Sequence, residues 1–103
     1  MEVLDLTPYD EPRTALIELH YGLASAHARG IKLLKILHSA EGRRKIEIRR
    51  FLRRYKSEGK LRCIVYGEDL SAADGVFVRY LTDKYPAMAD EEPSGTVTYA
   101  DFG

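Results

Sequence analysis

The chain has 103 residues, of which 45% are hydrophobic and 31% charged, and sixteen Lys/Arg balance sixteen Asp/Glu. That length supports one domain with a small core, and the composition is that of an ordinary soluble globular protein. A single cysteine excludes a disulfide framework, and no apolar run approaches the length that crosses a bilayer, so a cytoplasmic protein without membrane contact is expected.

VLDL (3–6) is short and apolar, and the TPYDEP behind it is a turn leading into a helix, so a first strand is expected there. Pro12 suits the first turn of that helix, after Asp10 and Glu11 as an acidic cap region. Leu16, Leu19, Leu23 and Ala26 recur at helical spacing, and Ile17, Tyr21, Ala24 and Ala28 form a second stripe. Two stripes predict a helix packed both on a sheet and against a neighbour. Gly30 stands where a left-handed cap belongs. IKLLKIL (31–37) is mostly apolar, as an interior strand should be. A second helix, from about Arg43 to Glu58, turns Ile48, Phe51, Leu52 and Tyr55 inward and is closed by Gly59. LRCIVY (61–66) is a third strand that buries Cys63 as an inert thiol.

SAADGVFVRYLTDKYP (71–86) is expected as a third helix. Ser71 and Asp74 fit a capping box, and Ala73, Val76, Phe77, Tyr80, Leu81 and Lys84 keep helical spacing up to the stop at Pro86. Against this, Gly75 costs a helix ~1 kcal/mol, and GVFVRYL also alternates as a strand would. The segment is expected to add core over the sheet, with a partner or homodimer surface as the sharper option. AMADEEPSG is an acidic loop, and TVTY (96–99) is the last strand. Residues 67–92 thus form a helix and acidic loop added to a single domain, 1–103.

The order βαβαβ(α)β predicts an α/β fold, an α+β two-layer sandwich with its helices mainly on one face. Right-handed crossovers between successive strands imply a parallel core. Ligands of such sheets gather beyond the carboxyl ends of parallel strands, where Asp5, Leu6, Thr7 and His38 meet the start of the second helix.

Charge is distributed unevenly along the chain. Residues 43–62 hold ten Lys/Arg against two Asp/Glu, whereas residues 63–103 hold two against eight. The cations Arg43, Arg44 and Lys45 open a helix, where the macrodipole disfavours positive charge. Freed amides at that end favour an anion, Gly42 allows close approach, and a bound polyanion would turn the placement favourable. Arg50 and Arg54 extend the same face, with Arg49, Arg53 and Lys56 as a flanking stripe. Such a surface specifies contact with a phosphate backbone rather than reading of bases. The alternative is a solvated face satisfied by the acidic tail.

The residues also resemble a known family, the small MutS-related (Smr) domain. Its pattern is LDLHG, a helix ending in glycine, a strand running into HGKG or HGxG, a basic helix, and a glycine-threonine step before the last strand. The counterparts here are LDLTP, TALIELHYGLASAHARG, IKLLKILHSAEG, RRKIEIRRFLRRYK and GTVTY. The resemblance implies a mixed sheet like that of an initiation-factor C-terminal domain, a nucleic-acid partner, DNA or RNA, and in some members nicking or RNA cleavage. Asp5 falls on the acidic residue of LDxH and His38 on the histidine of HGxG. Thr7 replaces the LDxH histidine, Ser39 replaces the first glycine, and Gly42 is the one glycine left in that loop.

Phosphodiester cleavage needs groups that move protons or hold a metal, and the Thr7 hydroxyl does neither near neutral pH. His20 and His27 lie about 10 Å apart along a helix, too far to share an ion, so neither metal nor cofactor is expected. The expectation is a nucleic-acid-binding domain without nuclease activity, a monomer or weak homodimer. Ser39, Gly42, Arg43, Arg44, Lys45, Arg50 and Arg54 are its expected contacts. The alternatives are a residual endonuclease using Asp5 and His38 as an acid–base pair, or an interaction domain docking an acidic partner.

Overall fold

The computed structural model describes residues 1–72 and 75–103 of the chain. Strand β1 (Glu2–Asp5) leads through α1 (Pro12–Ala28), β2 (Leu33–Leu37), α2 (Arg43–Ser57), β3 (Cys63–Tyr66) and α3 (Val76–Lys84) to β4 (Val97–Asp101). Short 3-10 helices occupy Gly67–Ser71 and Pro86–Asp90. Both long helices end as their glycines dictate. Gly30 adopts φ 74°, its amide donating to His27 O while Ile31 N reaches Ala26 O at 2.9 Å. Gly59 at φ 80° closes α2 in the same way. This double closure satisfies carbonyls that a helix end leaves free, and only glycine enters that conformation at no steric cost.

The four strands lie in the order β1-β2-β4-β3. β1 pairs parallel with β2, but β4 runs antiparallel between β2 and β3, so the sheet is mixed and the parallel core expected from the crossovers does not form. The reason lies in the return path. Ser94 N donates to Gly67 O at 3.2 Å, so the chain re-enters beside the end of β3 and can only run back along it. All five residues of β4 are buried, which makes it the middle of the sheet.

The pleat divides the core in two. Leu34, Ile36 and Ala100 face α1 and α2, meeting Leu19, Leu23, Ile48 and Leu52. Cys63, Val65, Val97 and Tyr99 face the other way, toward Val78, Leu81 and Met88. The two long helices therefore share one face as expected, while α3 and the second 3-10 helix add a partial third layer behind the sheet. Burying each such large apolar side chain stabilises by about 2 kcal/mol, so both faces contribute to folding. Cys63 is buried, and that burial raises its thiol pKa.

α3 is shorter than the sequence suggests. Gly75 is its N-cap at φ −63°, ψ 129°, rather than an interior residue, which removes the cost of glycine inside a helix. The expected capping box cannot be placed, because Ala73 and Asp74 lie outside the described residues; Ser71 Oγ donates instead to Glu68 O at 3.0 Å.

At Gly67 a Cβ would collide with Ser94 O and lie 2.7 Å from Val97 O, both main-chain atoms that cannot step aside. Gly67→Ala should therefore destabilise the fold by about 2 kcal/mol, read as a lower urea midpoint at unchanged m-value.

Candidate functional site

Beyond the carboxyl end of β2 lies a connected set of buried polar groups. His38 is 1% exposed. Its Nδ1 lies 2.8 Å from Ser39 O, and its Nε2 lies 2.8 Å from Thr98 Oγ1. A carbonyl only accepts, so Nδ1 carries the proton and Nε2 is bare. The Thr98 hydroxyl must then donate to Nε2, while its oxygen accepts from Arg49 Nε at 3.0 Å. Arg49 continues the chain outward. Its Nη1 and Nη2 donate to Glu68 at 2.8 and 2.6 Å, Nη2 also reaches Val97 O at 3.2 Å, and its guanidinium lies 4.0 Å from the Tyr66 ring centroid. Lys45 Nζ joins through Ala40 O at 2.8 Å and Glu68 at 3.2 Å.

Electrostatics follow from burial and from these bonds. Burial holds the His38 pKa below its ordinary value, and nearby Arg49 and Lys45 push the same way, so the ring is neutral near pH 7. The hydrogen bonds from Arg49 hold Glu68 down to about 2, so it stays ionised.

Asp5 belongs to a different arrangement. Its Oδ1 accepts from the Thr7 hydroxyl at 2.6 Å and from Thr7 N at 2.9 Å, which lowers its pKa. Asp5 stands opposite Leu37 in the β1–β2 register, and Leu37 packs on the α3 side. His38, the next residue, turns to the opposite face, where Thr98 and Arg49 hold it. The structure thus brings Asp5 and His38 to the same sheet edge but not to each other, and no hydrogen bond joins them. Both His38 nitrogens are occupied within the fold, so neither is free to accept a proton from an incoming nucleophile.

The cations of α2 separate into two groups. Lys45 and Arg49 point inward onto Glu68, so Arg49 belongs to the interior rather than to the outer stripe expected of it. Position 49 lies one turn from Lys45 and from Leu52, and that spacing was the available signal for its burial. Thr98 and Glu68 went unrecognised, since only the fold carries them to α2. The other group faces outward. Arg43, Arg50 and Arg54 are exposed, and only Arg50 meets a carboxylate among the described residues, Glu47 at 3.2 Å. Arg44 Nη1 donates to Tyr9 O at 2.6 Å, a bond that leaves its charge uncompensated. Gly42, at φ 97°, begins α2, and among the described residues no side chain caps that helix start and none partners the buried Ser39 Oγ. Among the described residues, no three His, Cys, Asp or Glu cluster as metal ligands would, and no helix is long and apolar enough to cross a membrane.

Thr98→Val keeps the shape of this site but deletes the hydroxyl shared by Arg49 and His38. It should cost about 2 kcal/mol in urea unfolding. The pH dependence follows from two signs. A histidine whose folded pKa is depressed takes up its proton first in the unfolded chain, so stability falls as pH drops below the free value of about 6.5. Glu68 contributes above its free value, and that contribution is lost between 4.5 and about 2. Unfolding at pH 7.5 and 5 should show the first loss in the wild type and not in His38→Gln.

No family model and no curated protein sequence matches the chain. Among solved structures, the crystal structure of the Smr domain of Thermus thermophilus MutS2 is similar, with a TM-score of 0.65 at 21% identity. The similarity covers 100% of this chain and 99% of that one. A β1-β2-β4-β3 sheet backed by α1 and α2, with His38 at the end of β2, is therefore an Smr-like fold.

Proposed function

We propose that the chain binds nucleic acid, DNA or RNA, through phosphate-backbone contacts from the outer side of α2, and that it does not cleave what it binds. The observation that carries this reading is the division of the α2 cations. Lys45 and Arg49 share the one carboxylate of Glu68, whereas Arg43, Arg44 and Arg54 have no carboxylate partner among the described residues. Arg43 and Arg44 stand at the uncapped start of α2, where a ligand that brings negative charge stabilises them, and Arg54 lies in its last turn. A polyanion supplies it along the helix, and guanidinium forks suit phosphate oxygens. Lys45 therefore leaves the interface, which comprises Gly42, Arg43, Arg44, Arg50 and Arg54 beside Ser39. The Smr-like fold agrees with the nucleic-acid partner that the motif resemblance implies. Absence of cleavage is supported by the separation of Asp5 from His38, by Thr7 in place of a histidine, and by the occupied His38 ring.

Binding of labelled duplex and structured RNA at several ionic strengths tests the reading. Affinity should fall steeply with salt as condensed counterions are released, and Arg43→Ala with Arg54→Ala should flatten the slope by roughly two. Neither side chain makes a hydrogen bond among the described residues, so the pair should leave thermal stability unchanged. A flat salt response, or unaltered affinity in the double variant, removes the proposal. Strand cleavage by wild type that His38→Ala abolishes restores the endonuclease alternative.

A further inference from the structure

The seam between α1 and α2 holds a surface that backbone contacts alone leave unexplained. Three adjoining hollows of about 490, 350 and 240 Å³ run along it, and Phe51 lines all of them. Ile17 is 46% and Tyr21 65% exposed there, although both recur on an apolar stripe of α1. Aromatic rings cross from one helix to the other. Tyr21 meets His20 edge-on at 5.9 Å, His20 meets Phe51 edge-on at 6.3 Å, and Phe51 stacks on Tyr55 at 5.9 Å. Each hollow also carries a cation: Arg43 lines the same hollow as Tyr21, Arg54 lies 5.9 Å from the Phe51 ring centroid, and Lys60 lies 4.9 Å from that of Tyr55. Glu47 and Glu58 are the carboxylates of the seam. Glu47 lies against Arg50 and Glu58 against Lys60 at 3.6 Å, which leaves Arg13, Arg43 and Arg54 without a carboxylate partner among the described residues.

We propose that this seam is a binding site for single-stranded nucleic acid, with bases stacked on Tyr21 and His20 and phosphates held by Arg43 and Arg54. This deepens the reading of α2 as a backbone-binding helix and rests on it. The chemistry distinguishes strand from duplex. A duplex presents phosphates outward and keeps its bases stacked within, so it meets the arginines and leaves the rings wet. A single strand offers a flat apolar face and a negative charge with every nucleotide. That repeat matches a ring and a cation in each hollow, the combination that sequence-tolerant single-strand binders use. Tyr21 and His20 are exposed and outside the buried core, so their rings are available for stacking without repacking the fold.

The test compares a single strand of about a dozen nucleotides, as DNA and as RNA, with the matching duplex. The proteins are wild type, Tyr21→Ala with His20→Ala, and Tyr21→Phe. Wild type should prefer the single strand. The double variant should bind it about tenfold or more weakly, with duplex affinity within about twofold of wild type, and Tyr21→Phe should keep tight binding because the stacking face remains. Equal single-strand affinity in wild type and double variant overturns the stacking site while leaving α2 as a backbone-binding helix. Wild type that binds neither form overturns both. Binding of an acidic amphipathic peptide that depends on Tyr21, with no single-strand preference, gives the seam to a protein partner and also overturns the proposal.

Discussion

A guanidinium 7% exposed, between a helix and the centre of a sheet, cannot stay there without a full set of acceptors. Arg49 finds them on three elements: Thr98 and Val97 O on β4, Glu68 in the turn after β3, and the face of Tyr66 on β3. Because Thr98 also donates to His38, one side chain ties α2 to β4, to the exit of β3 and to the end of β2. The direction of every hydrogen bond in that chain follows from the Ser39 carbonyl, which fixes the imidazole tautomer and so the orientation of the Thr98 hydroxyl. His38, Thr98 and Arg49 are each hydrogen-bonded to both neighbours in that hydrogen-bond chain, and such connection lets buried polar groups specify one arrangement.

That arrangement sets the surface chemistry. The inward bonds of Lys45 and Arg49 consume Glu68, the nearest carboxylate, and leave the rest of α2 to face solvent with little compensation. Arg44 is spent partly on structure, since its bond to Tyr9 O fixes the loop between β1 and α1. The cations of this amphipathic helix thus divide into two surfaces, one paired with Glu68 against the sheet and an outward one along the seam with α1. The same anchoring withdraws His38 from solvent, with both of its ring nitrogens hydrogen-bonded inside the fold.

The sheet topology makes this possible. Were β4 at an edge, Thr98 would not lie between His38, just past β2, and Arg49 of α2. Its antiparallel insertion between β2 and β3 brings residues sixty positions apart within hydrogen-bond range. It also leaves both sheet faces to be covered, which α1 and α2 accomplish on one side and α3 with the second 3-10 helix on the other. Asp101, on the α3 face of β4, is buried and takes hydrogen bonds from Tyr85 and Gly103, so both ends of the central strand are fixed by polar contacts.

Local chemistry was legible in the chain itself. The 3.6-residue stripes of α1 and α2, Pro12 at a helix start, Gly30 and Gly59 at helix ends and the apolar run of β2 each act within a few residues, so pattern and propensity alone placed them. The charge polarity of residues 43–62 is likewise a property of the sequence. What the sequence did not reveal depended on the return of the chain from α3: the direction of β4, the partial third layer, and the meeting of His38 with Thr98. The spacing of Arg49 from Leu52 hinted at its burial, but which cations of α2 meet a carboxylate is decided by where Glu68 lies. The sequence by itself determined that a strongly basic helix follows a strand ending in histidine. Only the tertiary structure decided which of its charges face outward, since neutralisation acts through space and Glu68 reaches α2 solely through the fold.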